Sequence, residues 1–203
     1  MITIVDSGGS NIASIKFMLE RLGLKAEFSR DAEVIKKSSH VILPGVGSAA
    51  VAIGCLKKHG LFDVLRSLTQ PVLGICLGMQ LFFDFSEEGG VACLGLISGR
   101  VKKISKRDGL SIPHMGWNTV KLIKANPIMN NIADNSYVYF THSYAVQVNE
   151  HTFAVTDYGE EFSAVIQYKN FFGTQFHPER SGEIGMTILK NFLRLQNDYL
   201  SSY

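Results

Sequence analysis

Cysteine is scarce in this 203-residue chain: three occur, Cys55, Cys76 and Cys93, and no pair has C-x-x-C spacing. An odd, scattered set of thiols excludes a disulfide framework and fits a reducing compartment. An excess of one charge is lacking too. Twenty basic and 18 acidic side chains leave +2, with no block of like charge, so neither nucleic acid nor an anionic membrane is an expected partner. No apolar run approaches the ~18 residues of a membrane span. The opening residues, Met-Ile-Thr-Ile-Val-Asp, read as a strand instead of a basic and apolar signal segment. A cytoplasmic location is expected. Repeats, low-complexity tracts and long linkers are missing as well, which points to one domain, 1–203.

What is present is 46% hydrophobic, enough for a chain of this length to bury roughly 70% of its unfolded surface without a staple. A buried strand at 2–6 leads through Ser7-Gly-Gly-Ser-Asn11, with Asn11 as helix cap, into apolar residues 12, 15, 19 and 22 at helical spacing before Gly23. The pattern recurs as strand 26–29, helix 31–37, strand 41–43, loop 44–47, helices 48–58 and 61–68, and strand 71–75. Strands alternating with helices predict a mostly parallel central sheet covered on both faces, an α/β fold whose ligands gather at the strand C-terminal ends. From about 91 to 175 the texture turns to short β-rich runs at 101–104, 119–123, 137–148, 153–156, 164–168 and 171–176. These predict a smaller antiparallel section, closed by an amphipathic helix over 184–195.

The most informative segment is Pro71-Val-Leu-Gly-Ile-Cys-Leu-Gly-Met-Gln80. An apolar strand runs into Gly74-Ile-Cys76-Leu-Gly78 and then a predicted helix over 79–85. G-x-C-x-G between strand and helix builds a nucleophile elbow, in which side chains at the glycines would crowd the turn. Cys76 then stands at a helix N-terminus, where free N–H groups and the dipole favour a thiolate, and the Leu77 N–H points toward a reacting carbonyl. A buried core cysteine is the competing reading. Cys55 and Cys93 have no comparable context.

A thiolate that cleaves an amide needs a proton shuttle with an orienting group. Phe171-Phe-Gly-Thr-Gln-Phe-His177-Pro-Glu179 supplies both, with Pro178 restraining the turn. Elsewhere, His40 and His59 read as surface residues and His151 as a turn residue. His114 and His142, beside aromatics, read as hydrogen-bonded structural histidines or as site walls. No metal is expected: His177-x-Glu179 has no downstream P-C-x-x-C to complete a zinc shell. No cofactor is expected either, because neither G-x-G-x-x-G nor a phosphate-binding P-loop occurs.

Together these residues resemble the class I glutamine amidotransferases, whose flavodoxin-like glutaminase domain carries a Cys, His, Glu triad in this chain order. The resemblance covers nearly the whole chain. Leu43-Pro-Gly-Val-Gly47, Ile112-Pro-His-Met-Gly-Trp-Asn118 and Tyr139-Phe-Thr-His-Ser-Tyr-Ala145 narrow it to the branch of histidine biosynthesis, in which the glutaminase is a separate subunit paired with a β/α-barrel cyclase. The resemblance implies that Cys76 attacks glutamine to give a γ-glutamyl thioester and ammonia, that His177 moves the protons, and that Glu179 orients it. It further implies an oxyanion hole from the Leu77 N–H and the turning backbone at Gly45, Val46 and Gly47. Glycines on either side of Val46 permit a peptide flip, so the hole would form only in an activated state. Substrate contacts would come from Gln80, from Glu88 to the α-ammonium, and from Ser143 and Tyr144 to the α-carboxylate. Ammonia would pass through a protected channel to the barrel. Arg180 is a candidate for partner contact, and Asp6-Ser-Gly-Gly-Ser-Asn11 departs from the usual D-Y-G-x-G-N in a loop expected near that partner. Other readings remain open on residues alone: an amidotransferase component serving another synthase, a free-standing cysteine γ-glutamyl hydrolase, or a non-catalytic binding subunit.

Overall fold

The structure is a computed structural model that describes residues 1–9, 12–45 and 47–196; the expected cap at Asn11 and the expected backbone donor at Val46 lie outside the described residues. The first half alternates as expected, through β1 (Ile2–Val5), α1 (Ala13–Arg21), β2 (Ala26–Ser29), α2 (Ala32–Lys36), β3 (His40–Leu43), α3 (Ala49–Lys58), α4 (Leu61–Arg66), β4 (Val72–Ile75) and α5 (Leu77–Gln80). Local chemistry sets these bounds. Asp31 caps α2 by accepting from the Glu33 and Val34 N–H groups. At the other end of α1, Gly23 takes a left-handed φ of +74°, and hydrogen bonds from Gly23 to Glu20 and from Leu24 to Leu19 close a Schellman stop.

The second half contains β5 (Phe83–Ser86), β6 (Val91–Ala92), β7 (Ile97–Lys103), β8 (His114–Leu122), β9 (Ser136–His142), β10 (Tyr144–Val146), β11 (Thr152–Asp157), β12 (Glu161–Tyr168), β13 (Phe171–Thr174) and α6 (Gly182–Leu193). The large sheet has nine strands in the order β2-β1-β3-β4-β13-β12-β11-β8-β9. Its first five strands pair in parallel and the rest antiparallel. β13 is therefore the seam, hydrogen-bonded in parallel to β4 on one side and antiparallel to β12 on the other. Side chains alternate across the parallel part. Ile4, Ile42 and Leu73 join one core with α1 and α6, while Val5, Val41, Leu43 and Val72 join a second core with α3 and α4.

Three sequence expectations need correction. The helix expected over 79–85 stops at Gln80, and Phe83–Ser86 is a strand pairing with β7 in a second sheet ordered β10-β7-β5-β6. Leu81, Phe82 and Phe83 are all fully buried, so no polar face is left for a helix, and packing between the sheets wins over local propensity. The single run expected over 137–148 breaks at Ser143: His142 pairs with His114 in the large sheet and Tyr144 with Lys103 in the small one. His40, expected at the surface, is half-buried, donating to the Leu195 carbonyl at 3.0 Å and packing edge-on against Phe192. Among the described residues no helix is long and apolar enough to cross a membrane.

Candidate active site

β4 ends at Ile75, and Cys76 takes φ +52° and ψ −110° before α5 begins. A non-glycine residue in this conformation is strained and persists only where its surroundings enforce it. They do so here. A Cβ at Gly74 would come within 2.6 Å of the Met79 nitrogen, and one at Gly78 would overlap the Leu43 carbonyl. The Cys76 N–H is held by the Thr174 carbonyl of β13 at 2.7 Å. The sulfur lies 3.7 Å from the Thr141 carbonyl, which accepts from the thiol, and 3.6 Å from the Gln175 Nε2. Helix α5 is a single turn, so the expected help to an anion comes from its free N–H groups and not from an extended helix dipole.

His177 and Glu179 follow β13, beside the elbow because β13 lies next to β4. Nδ1 of His177 meets Oε1 of Glu179 at 2.8 Å, with both side chains nearly buried. Nε2 of the ring and the second Glu179 oxygen are buried without an ordinary hydrogen-bond partner among the described residues. Burial by itself would push the imidazole down, but attraction to the Cys76 sulfur, and then to Glu179, outweighs it and holds the ring up to about 10. The turn is tied down from two sides. The His177 N–H donates to the Tyr139 carbonyl, and Ser181 Oγ donates to the His177 carbonyl. Beneath it, a Cβ at Gly185 of α6 would overlap the Pro178 carbonyl.

A cavity of about 230 Å³ opens over this pair, lined by Ser14, Pro44, Gly45, Thr141, Arg180 and the His177–Glu179 dyad, with Ile15 and Gly47. Cys76, only 7% exposed, is not part of that lining. The segment Pro44–Gly45 lies across it, so close that a Cβ at Gly45 would come within 2.6 Å of the Leu77 nitrogen. A larger cavity of about 580 Å³, beside Pro127, Asn191 and Arg194, is remote from this chemistry.

The structure therefore gathers Cys76, Leu77, Gly47, His177 and Glu179 of the expected site, with Arg180 at its rim. The remaining expected residues are placed differently. Gln80 is buried, and its amide nitrogen serves the Tyr144 carbonyl at 2.8 Å and Gln175 Oε1 at 2.9 Å. Glu88 Oε2 accepts from the Ala49 N–H at 2.8 Å, at the start of α3 just beyond Gly47. The Ser143 carbonyl accepts from Ile104, and Tyr144 pairs with Lys103. Gln80, Glu88, Ser143 and Tyr144 are outside the described lining of the cavity. Gly45 belongs to the 45–47 turn expected from the sequence, but two residues of the site, Thr141 and Gln175, were given no role there. Of these only Gln175 has a local signal, an amide inside an apolar run, which must find partners if buried. Among the described residues no cluster of three or more His, Cys, Asp or Glu could hold a metal ion.

A family model described as glutamine amidotransferase class-I matches residues 3–195. The chain is 51% identical over 192 residues to imidazole glycerol phosphate synthase subunit HisH of Haemophilus influenzae, covering 95% of this chain and 96% of the relative. A second relative, subunit HisH 2 of Legionella pneumophila strain Paris, is 47% identical over 197 residues, covering 97% and 99%. Among solved structures, the glutaminase domain of CTPS from Trypanosoma brucei superimposes with a TM-score of 0.66 at 16% identity, covering 95% of this chain and 93% of the other. PurLQS from Thermotoga maritima gives 0.70 at 20% identity, covering 98% of each. At such identities these two similarities concern the fold alone.

Proposed function

The chain belongs to the class-I glutamine amidotransferase family, and from that premise we propose that it is the glutaminase subunit of an imidazole glycerol phosphate synthase, a component of histidine biosynthesis. The observation that carries the reading is the strained Cys76 elbow beside a buried His177–Glu179 dyad whose Nε2 is free. In this reading Nε2 holds the proton of the Cys76 thiol, and the sulfur attacks the side-chain carbonyl carbon of glutamine as a thiolate. The resulting oxyanion is held by the Leu77 N–H and by backbone of the 45–47 segment, Val46 included. Collapse expels ammonia, with the proton supplied from Nε2, and leaves a γ-glutamyl thioester. Water, deprotonated by the same nitrogen, then releases glutamate and restores the thiol. Glu179 keeps the proton on Nδ1 and so keeps Nε2 facing the sulfur. Glu88 and the oxygen of Gln80, with the Ser143–Tyr144 backbone, are assigned to glutamine binding.

The partner reading rests on one face of the sheet. Met115, Trp117 and Tyr137 are 62%, 56% and 62% exposed, and β8–β9 register puts them on the same side as Tyr139 and Thr141. Thr141 lines the cavity and Tyr139 lies under the Arg180 guanidinium, 5.9 Å from its ring centre. An apolar surface continuous with the mouth of the site suits a β/α-barrel cyclase that takes up ammonia before water can protonate it. The Pro44–Gly45 cover over Cys76 supports a site that opens only when that partner is engaged. Ammonia release from glutamine, measured with and without the cyclase, tests this. Turnover should depend on the cyclase and vanish in Cys76→Ala. Rapid hydrolysis by the chain alone would overturn its assignment to a two-subunit synthase, and full turnover by Cys76→Ala would overturn the nucleophile.

A further inference from the structure

The Tyr144 carbonyl accepts two hydrogen bonds, from His142 Nδ1 at 2.8 Å and from Gln80 Nε2 at 2.8 Å. A carbonyl can only accept, so it fixes the tautomer of His142 and the orientation of the Gln80 amide at once. Consequences run both ways from that oxygen. The second Gln80 N–H faces Gln175 Oε1 at 2.9 Å, which obliges Gln175 to turn its own Nε2 to the Cys76 sulfur, 3.6 Å away. In the other direction, His142 Nε2 accepts from His114 Nδ1 at 3.0 Å, and His114 Nε2 faces the Asn118 amide nitrogen at 3.4 Å. Burial pushes His114 down to about 4 and His142 down to about 3, so both rings are neutral at pH 7 and the direction of donation is kept. Gln80, Gln175, His114 and His142 are all buried.

We propose that Gln175 is a positioning residue for the nucleophile, holding the Cys76 sulfur through an N–H whose direction is set at the Tyr144 carbonyl. This rests on the reading of Cys76 as the nucleophile. With the proton on sulfur, the Thr141 carbonyl, 3.7 Å away, accepts from the thiol. Once the proton moves to His177 that carbonyl faces a negative sulfur, and the Gln175 N–H offsets the repulsion as a charge-assisted donor.

Gln175→Met removes the donor and keeps the length of the side chain. In the complex with the cyclase, where the site is open, iodoacetamide labelling at pH 7 is followed at each cysteine by peptide mass spectrometry, with Cys55 as internal reference and measurable labelling of parental Cys76 as the starting point. We expect Cys76 labelling to slow about tenfold and Cys55 labelling to stay as in the parent. In the complex with the cyclase, kcat should fall by a similar factor with KM within about twofold, a split that loss of packing alone would not produce. Parental labelling of Cys76 in Gln175→Met overturns the proposal. If that variant does not fold, the Gln175 side-chain amide resonance of the parent, assigned through its own backbone, gives the answer: it should shift when Cys76 is alkylated, and an unmoved resonance overturns the proposal. Labelling needs no glutamine and no turnover, so its outcome is separate from that of the glutaminase assignment.

Discussion

Histidines in this molecule are pulled in opposite directions, and that gives stability a pH dependence at both ends. For His177, burial lowers the ring but Cys76 and Glu179 raise it further, up to about 10. A pKa above the unfolded value of ~6.5 stabilises the fold fully below that pH, and the contribution is lost as pH rises through about 10. His114 and His142 behave inversely. Burial holds them down to about 4 and about 3, so the unfolded chain binds protons that the folded one refuses, and stability falls as pH drops from ~6.5 toward those values. Thermal melts should therefore show a fall in midpoint on both sides of neutrality. His177→Asn should flatten the alkaline limb, and His142→Gln the acidic one. An alkaline limb unchanged in His177→Asn would show that the dyad is not charged as described.

Among the elements, the β4-turn-α5 unit depends most on what is missing from it. Gly78→Ala forces a methyl into the Leu43 carbonyl and should cost about 3 kcal/mol or more, the upper range for overpacking a core. Gly54 sits in the middle of α3 with nothing within 4 Å of a built Cβ. Gly54→Ala should therefore stabilise by roughly 0.5–1 kcal/mol. Chemical denaturation of the two variants measures both, and equal effects would refute the close-approach account. Elements whose limits are local were legible in the sequence, such as the Asp31 cap and the Gly23 stop. Those decided at a distance were not. Nothing near Phe83 announces its pairing with Ile97, and nothing near Ser143 announces that the chain changes sheets there. Likewise β13 reads as one more antiparallel run until its parallel partner β4, a hundred residues earlier, is in place.

At the scale of the whole molecule, the exposed aromatic face of β8 and β9 is the surface on which association should depend. Trp117→Ala should weaken binding to the cyclase by about tenfold or more, as large aromatic anchors do, while the melting temperature stays near the parental value. Unchanged affinity, measured calorimetrically, would move the interface elsewhere. The elbow at Cys76 and the His177–Glu179 pair were legible, because G-x-C-x-G and His-Pro-Glu are local motifs with local geometry. The close approach of Gly45 to Leu77 and the role of Thr141 were not, since each is a backbone contact with a segment far away in sequence. The adjacency of β4 and β13 has one more result. During synthesis Cys76 leaves the ribosome about a hundred codons ahead of His177, and β4 is made long before β13, the strand it pairs with. On the proposed mechanism, a nascent chain that has not yet reached His177 holds a thiol with no base to serve it, so glutamine is not consumed before β13 has docked against β4.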